Sequence, residues 1–399
     1  MLIEVLAFLF LGIFSGILTG LIPGVHVNLI GALLVFLSQN KLGFLDPIYL
    51  VVFIVSMSIT HTFFDFIPSI FLGVPEDGTE LSVLPGHEML KKGFGYEAIK
   101  LSAYGGLLSL FILFVLIFPS VFLLPKVYFF FQKSNLIAYF LILISLILIF
   151  SDKKKISSFF VFVITGILGL IVLNLEFNEP LLPLLSGLFG ASMLILSIKM
   201  KTKIPKQKIL DRKIIGKKLF KPILGTSIAS PLLSMFPGIG SGQIAVLGSL
   251  ITKLDNRGFL VLLGATNTLV MGLSFVFFYS ISRSRTGSAA AIQSLLESLN
   301  FKILIFILVI ALLSGIFSFL LVLKIGKFFS KKIHFINYSF LSKLTLIFVF
   351  IVVFLISGFL GSLVFLVSTI TGIFCIGLSV KRTQMMGSLL LPTIILYLF

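Results

Sequence analysis

Two proline–glycine breaks, Pro23-Gly24 and Pro237-Gly238, interrupt long apolar runs at matching places in the two halves of the chain. Proline lacks an N–H and glycine tolerates bent backbone, so a helix stops at such a dipeptide and a new one starts beyond it. The new half-helix turns free N–H groups and its positive dipole end toward the gap, where an anionic group is favoured without any formal charge. The residues at the two starts are His26 and Asn28 in one half, and Gly240, Ser241, Gly242 and Gln243 in the other. Small and amide side chains there let a ligand approach the backbone. A plainer reading stands beside this one, in which Asn28, Ser241 and Gln243 cap their own helices.

A second set of residues suits a coupling ion. His61 and Asp65 are four apart in a helical stretch, hence on one face, and an acid within a membrane span points to a proton or cation site. Were Asp65 at the end of its span, it would simply meet the interface. The run Gly73–Glu80 has three acids and two glycines, a composition that fits either Na⁺ or an exposed turn. Arg283, Arg285, Thr286, Gly287 and Ser288 form a cationic, hydroxyl-rich counterpart in the other half, fit for an anion or for lipid headgroups.

Enzymatic chemistry is poorly represented. The four histidines, His26, His61, His87 and His334, show no zinc-site spacing, and neither a nucleophile elbow nor a P-loop occurs. An intramembrane metalloenzyme built on His26, His61 and Asp65 is the weaker alternative. No metal and no cofactor is expected beyond Na⁺ or H⁺ coupling.

The elements that must hold these residues are membrane helices. Hydrophobic residues make up 58% of the 399, charged residues 11%, and the mean hydropathy is +1.20. A soluble protein of this length needs far more charge. Runs such as Leu136–Phe150, Phe159–Leu173 and Leu344–Ser357 approach the roughly 20 residues of a bilayer crossing. With 46 Phe and no Trp, interfacial anchoring falls to Tyr, Phe and Lys. The net charge of +17 is concentrated in ten Lys/Arg between Lys199 and Lys221, with Phe220 the single aromatic among them. A juxtamembrane basic loop is explained by topology and anionic lipid, not by nucleic acid. The one cysteine, Cys375, permits no disulfide within the chain. Glu4 and the lack of a basic n-region argue that Met1–Leu21 belongs to the mature fold.

Apolar runs divide the chain into a broken segment Leu2–Leu37, spans near Ile48–Leu72, Leu101–Leu124, Leu136–Phe150, Ile156–Leu173 and Leu181–Ile198, and a polar stretch Gly73–Lys100. Beyond the basic loop come broken segment Pro222–Leu250, a span near Phe259–Ser282, a polar stretch Arg283–Asn300, and spans near Phe301–Leu323, Leu344–Leu360, Gly361–Val380 and Met386–Phe399. The halves match beyond their breaks. Ser58-Ile59-Thr60-His61-Thr62 corresponds to Ala265-Thr266-Asn267-Thr268, Gly78-Thr79 to Gly287-Ser288, and Ala103-Tyr104-Gly105-Gly106 to Leu312-Leu313-Ser314-Gly315.

The Lys/Arg asymmetry orients them. Asp152–Lys155, Lys199–Lys221, Lys324–Lys343 and Lys381-Arg382 are basic and expected in the cytoplasm, whereas Asn174–Pro180 carries two Glu and belongs outside. Counting back places Gly73–Lys100 inside and Arg283–Asn300 outside, as an inverted repeat requires. If Lys221 and Lys253 are both cytoplasmic, Pro222–Lys253 enters and leaves on one side. About 15 residues per arm at 1.5 Å each carries its tip past the midplane of a roughly 30 Å core. The alternative is a kinked spanning helix.

These motifs resemble the large membrane subunit family of tripartite tricarboxylate transporters. The resemblance is carried by Gly20-Leu21-Ile22-Pro23-Gly24, by the Gly78-Thr79 stretch, by Pro85-Gly86-His87 leading into Met89-Leu90-Lys91-Lys92-Gly93, and by Phe236-Pro237-Gly238-Ile239-Gly240. It implies secondary transport of organic carboxylates, with a small membrane subunit and an extracytoplasmic binding protein as partners in bacteria. The chain departs from the family's usual pattern in being short, as in an archaeal branch, and in carrying His26 and Asn28 where glycine and proline are usual. A second, shorter resemblance, Pro237–Ala245, is to a family implicated in polyprenyl-phosphate translocation.

The expectation is an all-α polytopic membrane protein, an inverted repeat with broken, re-entrant hairpins and roughly 10–12 membrane segments. Residues 1–200 form the first repeat, 201–220 a basic cytoplasmic linker and 221–399 the second repeat. The protein is expected to be a cell-membrane permease for a small organic anion, a di- or tricarboxylate, driven by an ion gradient; the alternative is translocation of a polyprenyl-phosphate lipid carrier. Pro23, Gly24, His26, Asn28, Pro237, Gly238, Gly240, Ser241, Gly242, Gln243, Asn267 and Thr268 are expected to bind substrate, with Ser58 beside them. Thr60, His61 and Asp65 would serve the coupling ion, and Arg283, Arg285 and Ser288 would be accessory anion contacts. Partners are the anion, membrane lipids and such subunits as the family uses.

Overall fold

A computed structural model describes residues 2–22, 27–40, 46–73, 83–133, 136–199, 204–209, 217–236, 239–296, 298–335 and 337–398. Among these residues there are helices and turns but no strand. The sequence breaks fall where expected. Helix α1 (Leu2–Leu21) gives way to α2 (Val27–Asn40) across the first, and α11 (Lys217–Leu233) to α12 (Ser241–Thr252) across the second. Pro23, Gly24, His26, Pro237 and Gly238 themselves lie outside the described residues, as do Gly78 and Thr79.

Between these breaks the chain forms α3 (Pro47–Phe64), α4 (Phe66–Phe71), α5 (Val83–Lys91) and α6 (Gly95–Lys133). A peripheral group follows: α7 (Leu136–Phe150), α8 (Lys155–Leu173), α9 (Leu181–Leu185), one π-helical turn Ser186–Ala191, and α10 (Ser192–Lys199). Beyond α12 come α13 (Asn256–Ile281), α14 (Gly287–Leu296), α15 (Phe301–Lys332), α16 (Tyr338–Gly377) and α17 (Gly387–Leu398). Among the described residues seven segments are long and apolar enough to cross a membrane, and five shorter apolar helices accompany them. The protein is an all-α polytopic membrane protein.

Two of those segments differ from the rest. Pro47–Phe71 is 94% buried and Asn256–Ile281 89%, whereas the other five are 28–44% buried. These two form the centre, and the others turn apolar faces outward, with Phe118, Phe122, Phe340 and Phe359 well exposed as lipid requires. The central helices are wrapped reciprocally: α1 and α15 pack on α3, and α11 and α6 pack on α13. Small residues permit this closeness. A Cβ at Gly12, Gly16 or Gly20 of α1 would come within 2.6 Å of α3, so the stripe Gly-x-x-x-Gly-x-x-x-Gly lets the two backbones touch.

Several boundaries differ from the sequence reading for identifiable reasons. The polar stretch Arg283–Asn300 contains α14, because Thr286 accepts from the Ala289 N–H at the helix start and Ala289, Ala291 and Ile292 are buried. The stretch Gly73–Lys100 likewise contains α5 and the first turn of α6, whose Gly95 N–H is capped by Gln207 Oε1 from the basic linker at 2.8 Å. The two expected spans around residue 360 meet in α16 at Gly358, where φ is 66° and ψ −162°, a conformation essentially reserved for glycine.

Basic and polar loops gather on one face. Linker residues Gln207 and Lys208 bond to the α5–α6 corner, Arg257 pairs with Glu97 at 3.3 Å, and the Lys381 N–H donates to Asp152 Oδ2 at 2.7 Å. The loops expected inside by charge are thus neighbours in space.

Candidate functional site

The site is built where α3 and α13 face each other. Ser58, Thr62 and Asp65 recur at i, i+4 and i+7, which puts them on one stripe of α3. The Thr62 hydroxyl lies 3.0 Å from that of Thr268 on α13, and the Ser58 hydroxyl 2.6 Å from that of Ser288 on α14. Asn267 Nδ2 donates to Asp65 Oδ2 at 2.8 Å, and Ser241 Oγ donates to Asn267 Oδ1 at 3.3 Å. A chain of polar groups therefore runs from the start of α12 through α13 to the acid of α3. Every member is buried; Asp65 is 1% exposed. A carboxyl in such a place needs donors, and the Asn267 amide supplies one.

Local sequence explains why Asp65 sits at a discontinuity. Pro68 has no N–H to give the Phe64 carbonyl, so the helical ladder lapses between α3 and α4. Ser69 steadies the gap by donating its hydroxyl to the Asp65 carbonyl at 3.0 Å. The acid is therefore held well within a buried segment.

Opposite Asp65, α11 and α12 fold back on each other as a hairpin. A Cβ at Gly225 would meet the Gly248 carbonyl at 2.9 Å, and one at Gly248 the Gly225 carbonyl at 3.1 Å, so the arms cross backbone to backbone. Gly240 begins α12 in an extended conformation with no side-chain cap, leaving the first-turn N–H groups uncapped by side chains. Ser241 turns to Asn267 instead. Gln243 is 1% exposed, and among the described residues neither its amide oxygen nor its nitrogen has a hydrogen-bond partner. Burying a primary amide so completely without partners costs several kcal/mol, roughly 1–3 per group. Gly242 is buried beside it, and the side chain of Asn28 is not among those described.

Arg285 joins the tip of the hairpin to the opposite loop. Its Nη2 donates to the Ile239 carbonyl at 3.1 Å, and the neighbouring Thr286 hydroxyl donates to Ser274 at 3.0 Å. The Arg283 guanidinium lies 5.6 Å over the Tyr128 ring. Thr60 and His61 also take other partners. Ser318 of α15 donates to Thr60 at 2.9 Å, and His61 Nδ1 is 3.1 Å from the Thr19 hydroxyl of α1. On these bonds Asp65 faces α13 while Thr60 faces α15. Among the described residues, no three His, Cys, Asp or Glu side chains converge as a metal site.

Sequence reasoning placed Ser241 and Asn267 in one expected substrate set and Asp65 in a coupling-ion set, and did not foresee the hydrogen bonds that join them. Positions 202 residues apart leave no local signal of contact. Ser318 and Thr226, whose hydroxyl is 3.2 Å from that of Thr266, were missed altogether. Serines and threonines in apolar helices usually bond their own preceding turn, so their sequence gives no hint of a cross-helix role.

Comparison with known proteins gives two findings. The model of the tripartite tricarboxylate transporter TctA family matches residues 6–387. The uncharacterized protein MJ1079 of Methanocaldococcus jannaschii is 32% identical over 411 aligned residues, covering 98% of this chain and 99% of that protein. No solved structure matches.

Proposed function

The chain belongs to the tripartite tricarboxylate transporter TctA family, and we propose that it is the permease that moves a small organic anion, a di- or tricarboxylate, through the membrane on an ion gradient. The observation that carries this reading is the buried amide of Gln243, without a hydrogen-bond partner among the described residues, at the start of α12 where no side chain caps the helix. A carboxylate at that point accepts from Gln243 Nε2 and from the first-turn N–H groups, and so removes the cost of burying them dry. Asp65, linked to the same place through Asn267 and Ser241, is the coupling site for H⁺ or Na⁺. Family membership favours carboxylate over the polyprenyl-phosphate carrier. A tripartite family implies partner subunits, and a small membrane subunit and an extracytoplasmic binding protein are the proposed ones.

The two halves, 1–200 and 221–399 about the linker, are proposed as an inverted repeat in the cell membrane with the linker-bearing face in the cytoplasm. Their reciprocal wrapping of α3 and α13 supports this, as does the gathering of basic loops on one face. The test is equilibrium binding of radiolabelled citrate to purified protein. Gln243→Leu keeps side-chain bulk and removes the amide. Binding should fall by at least about tenfold, a loss of about 1.4 kcal/mol or more. Unchanged binding would remove the α12 start from the substrate site.

A further inference from the structure

A second feature lies at the other end of the same helix. A cavity of about 320 Å³ opens between α5 and α12, lined by Pro85 and Glu88, by Val246, Ser249 and Leu250, and by Arg382 and Thr383 of the turn before α17. Its size is that of a small-ligand pocket. Ser249 is six residues beyond Gln243 on α12, about 9 Å along the axis. The cavity thus adjoins the proposed substrate site and opens on the face that carries the linker.

The charges around it are unevenly satisfied. Asp255 Oδ1 accepts from the Gly258 N–H at 2.8 Å, and Glu88 accepts from Asn256 at 3.4 Å with Lys92 4.0 Å away. Lys381 spends its ammonium on the Ser151 carbonyl at 2.7 Å. Arg382 is different: it is only 9% exposed, its Nη2 rests on the Met193 sulfur, and its Nη1 has no partner among the described residues. The adjacent Thr383 hydroxyl is buried and also without a partner. Among the described residues no carboxylate answers this guanidinium, and burial, with the charge of Arg382 adding to it, holds the Lys91 ammonium below the ordinary lysine range. An unpaired buried guanidinium is among the costliest groups a fold can keep, and its planar fork matches an oxyanion.

We propose that this cavity is an oxyanion site on the linker-bearing face, where Arg382 and Thr383 hold a carboxylate of the transported anion as it passes to or from the start of α12. The proposal rests on the transport reading for its ligand, while the oxyanion chemistry is common to the phosphate of an anionic lipid headgroup. The opposite face supports a passage here. The pair α2 and α14 is packed shut, with an added Cβ at Gly31 only 3.2 Å from that of Ala291, while α12 and α5 stand apart around the cavity.

The experiment uses the full chain with Cys375→Ser, which removes its one thiol, and Ser249→Cys as a reporter in neutral-lipid nanodiscs. Alkylation of the new thiol by N-ethylmaleimide is timed with citrate, and separately with phosphatidylglycerol added to the disc. Saturating citrate should slow labelling by about tenfold, as mass action sets the free fraction, and Arg382→Gln should abolish that protection. Protection by phosphatidylglycerol alone, again lost in Arg382→Gln, would keep the oxyanion site but overturn its assignment to the transported anion. Labelling unaffected in both arms, or protection that survives Arg382→Gln, would overturn the site itself. Arg382→Gln should melt no lower than wild type, since it removes a buried charge that no described carboxylate pairs. Protection retained in Gln243→Leu protein would separate this site from the one at the α12 start, so either can fail alone.

Discussion

Burial pushes the His87 imidazole down to about 4, and this sets how the protein should respond to acid. Loss of hydration is the main cause. The Ile70 carbonyl, 3.2 Å from Nδ1, opposes it, and the positive charges of Lys91 and Arg382 add to it. The unfolded chain takes up a proton at this residue near pH 6.5 and the folded one only near 4, so stability is full above about 6.5 and declines as pH falls through that window. The full effect is about 3 kcal/mol, from 1.36 kcal/mol per pKa unit. Melting temperature should therefore drop between pH 7 and pH 4.5, and His87→Gln should flatten that drop; an identical pH profile in the variant would show that His87 titrates normally. Residue-scale reading of the sequence reached Asp65, Gln243 and Asn267 because polar groups are conspicuous in apolar runs. It could not tell that Ser241 turns away from its own helix to Asn267, which depends on α13 arriving alongside.

Among the elements, the hairpin of α11 and α12 is the piece on which the site depends. Its break was legible, since a helix cannot run undisturbed through Pro237-Gly238 in the middle of an apolar run. That its arms touch at Gly225 and Gly248 was not, because a glycine in an apolar run carries no mark of its partner. A side chain at that crossing must push the arms apart. Gly248→Leu should lower stability by about 1–3 kcal/mol through overpacking and weaken citrate binding with it, while Gly248→Ala should be milder. Equal melting temperatures and equal affinity in wild type and Gly248→Leu would mean that the arms are free to separate. Helices α5 and α14 escaped notice within their polar stretches because each is short and owes its stability to tertiary burial, as Ala289 and Ile292 show.

For the whole molecule, the contrast between the close α2–α14 contact and the α5–α12 cavity is what one state of the proposed transport cycle would look like. The opposite state requires α2 and α14 to part. The Cβ positions at Gly31 and Ala291, 3.2 Å apart, need part only slightly to reach the roughly 3.5–4.5 Å of a disulfide, and a Gly31→Cys/Ala291→Cys cross-link should stop transport while leaving the cavity reporter at Ser249→Cys reactive. Undiminished transport in the oxidised protein would show that this contact does not move. Membrane class and the breaks in the helices came from composition and punctuation; the central place of α3 and α13 is seen only in their burial. Reciprocal wrapping was not legible there either, since α15 on α3 and α6 on α13 join segments from opposite halves of the chain.

The coupling of Asp65 to anion movement is tested most directly in proteoliposomes, by comparing gradient-driven accumulation of citrate with citrate–citrate exchange in wild type and Asp65→Asn. The neutral side chain keeps the size and a hydrogen bond to Asn267 but cannot gain and lose a cation. Exchange should persist and accumulation should vanish, under an imposed H⁺ or Na⁺ gradient alike. Accumulation at the wild-type rate in Asp65→Asn would contradict the coupling role and leave the buried acid as a structural element of α3.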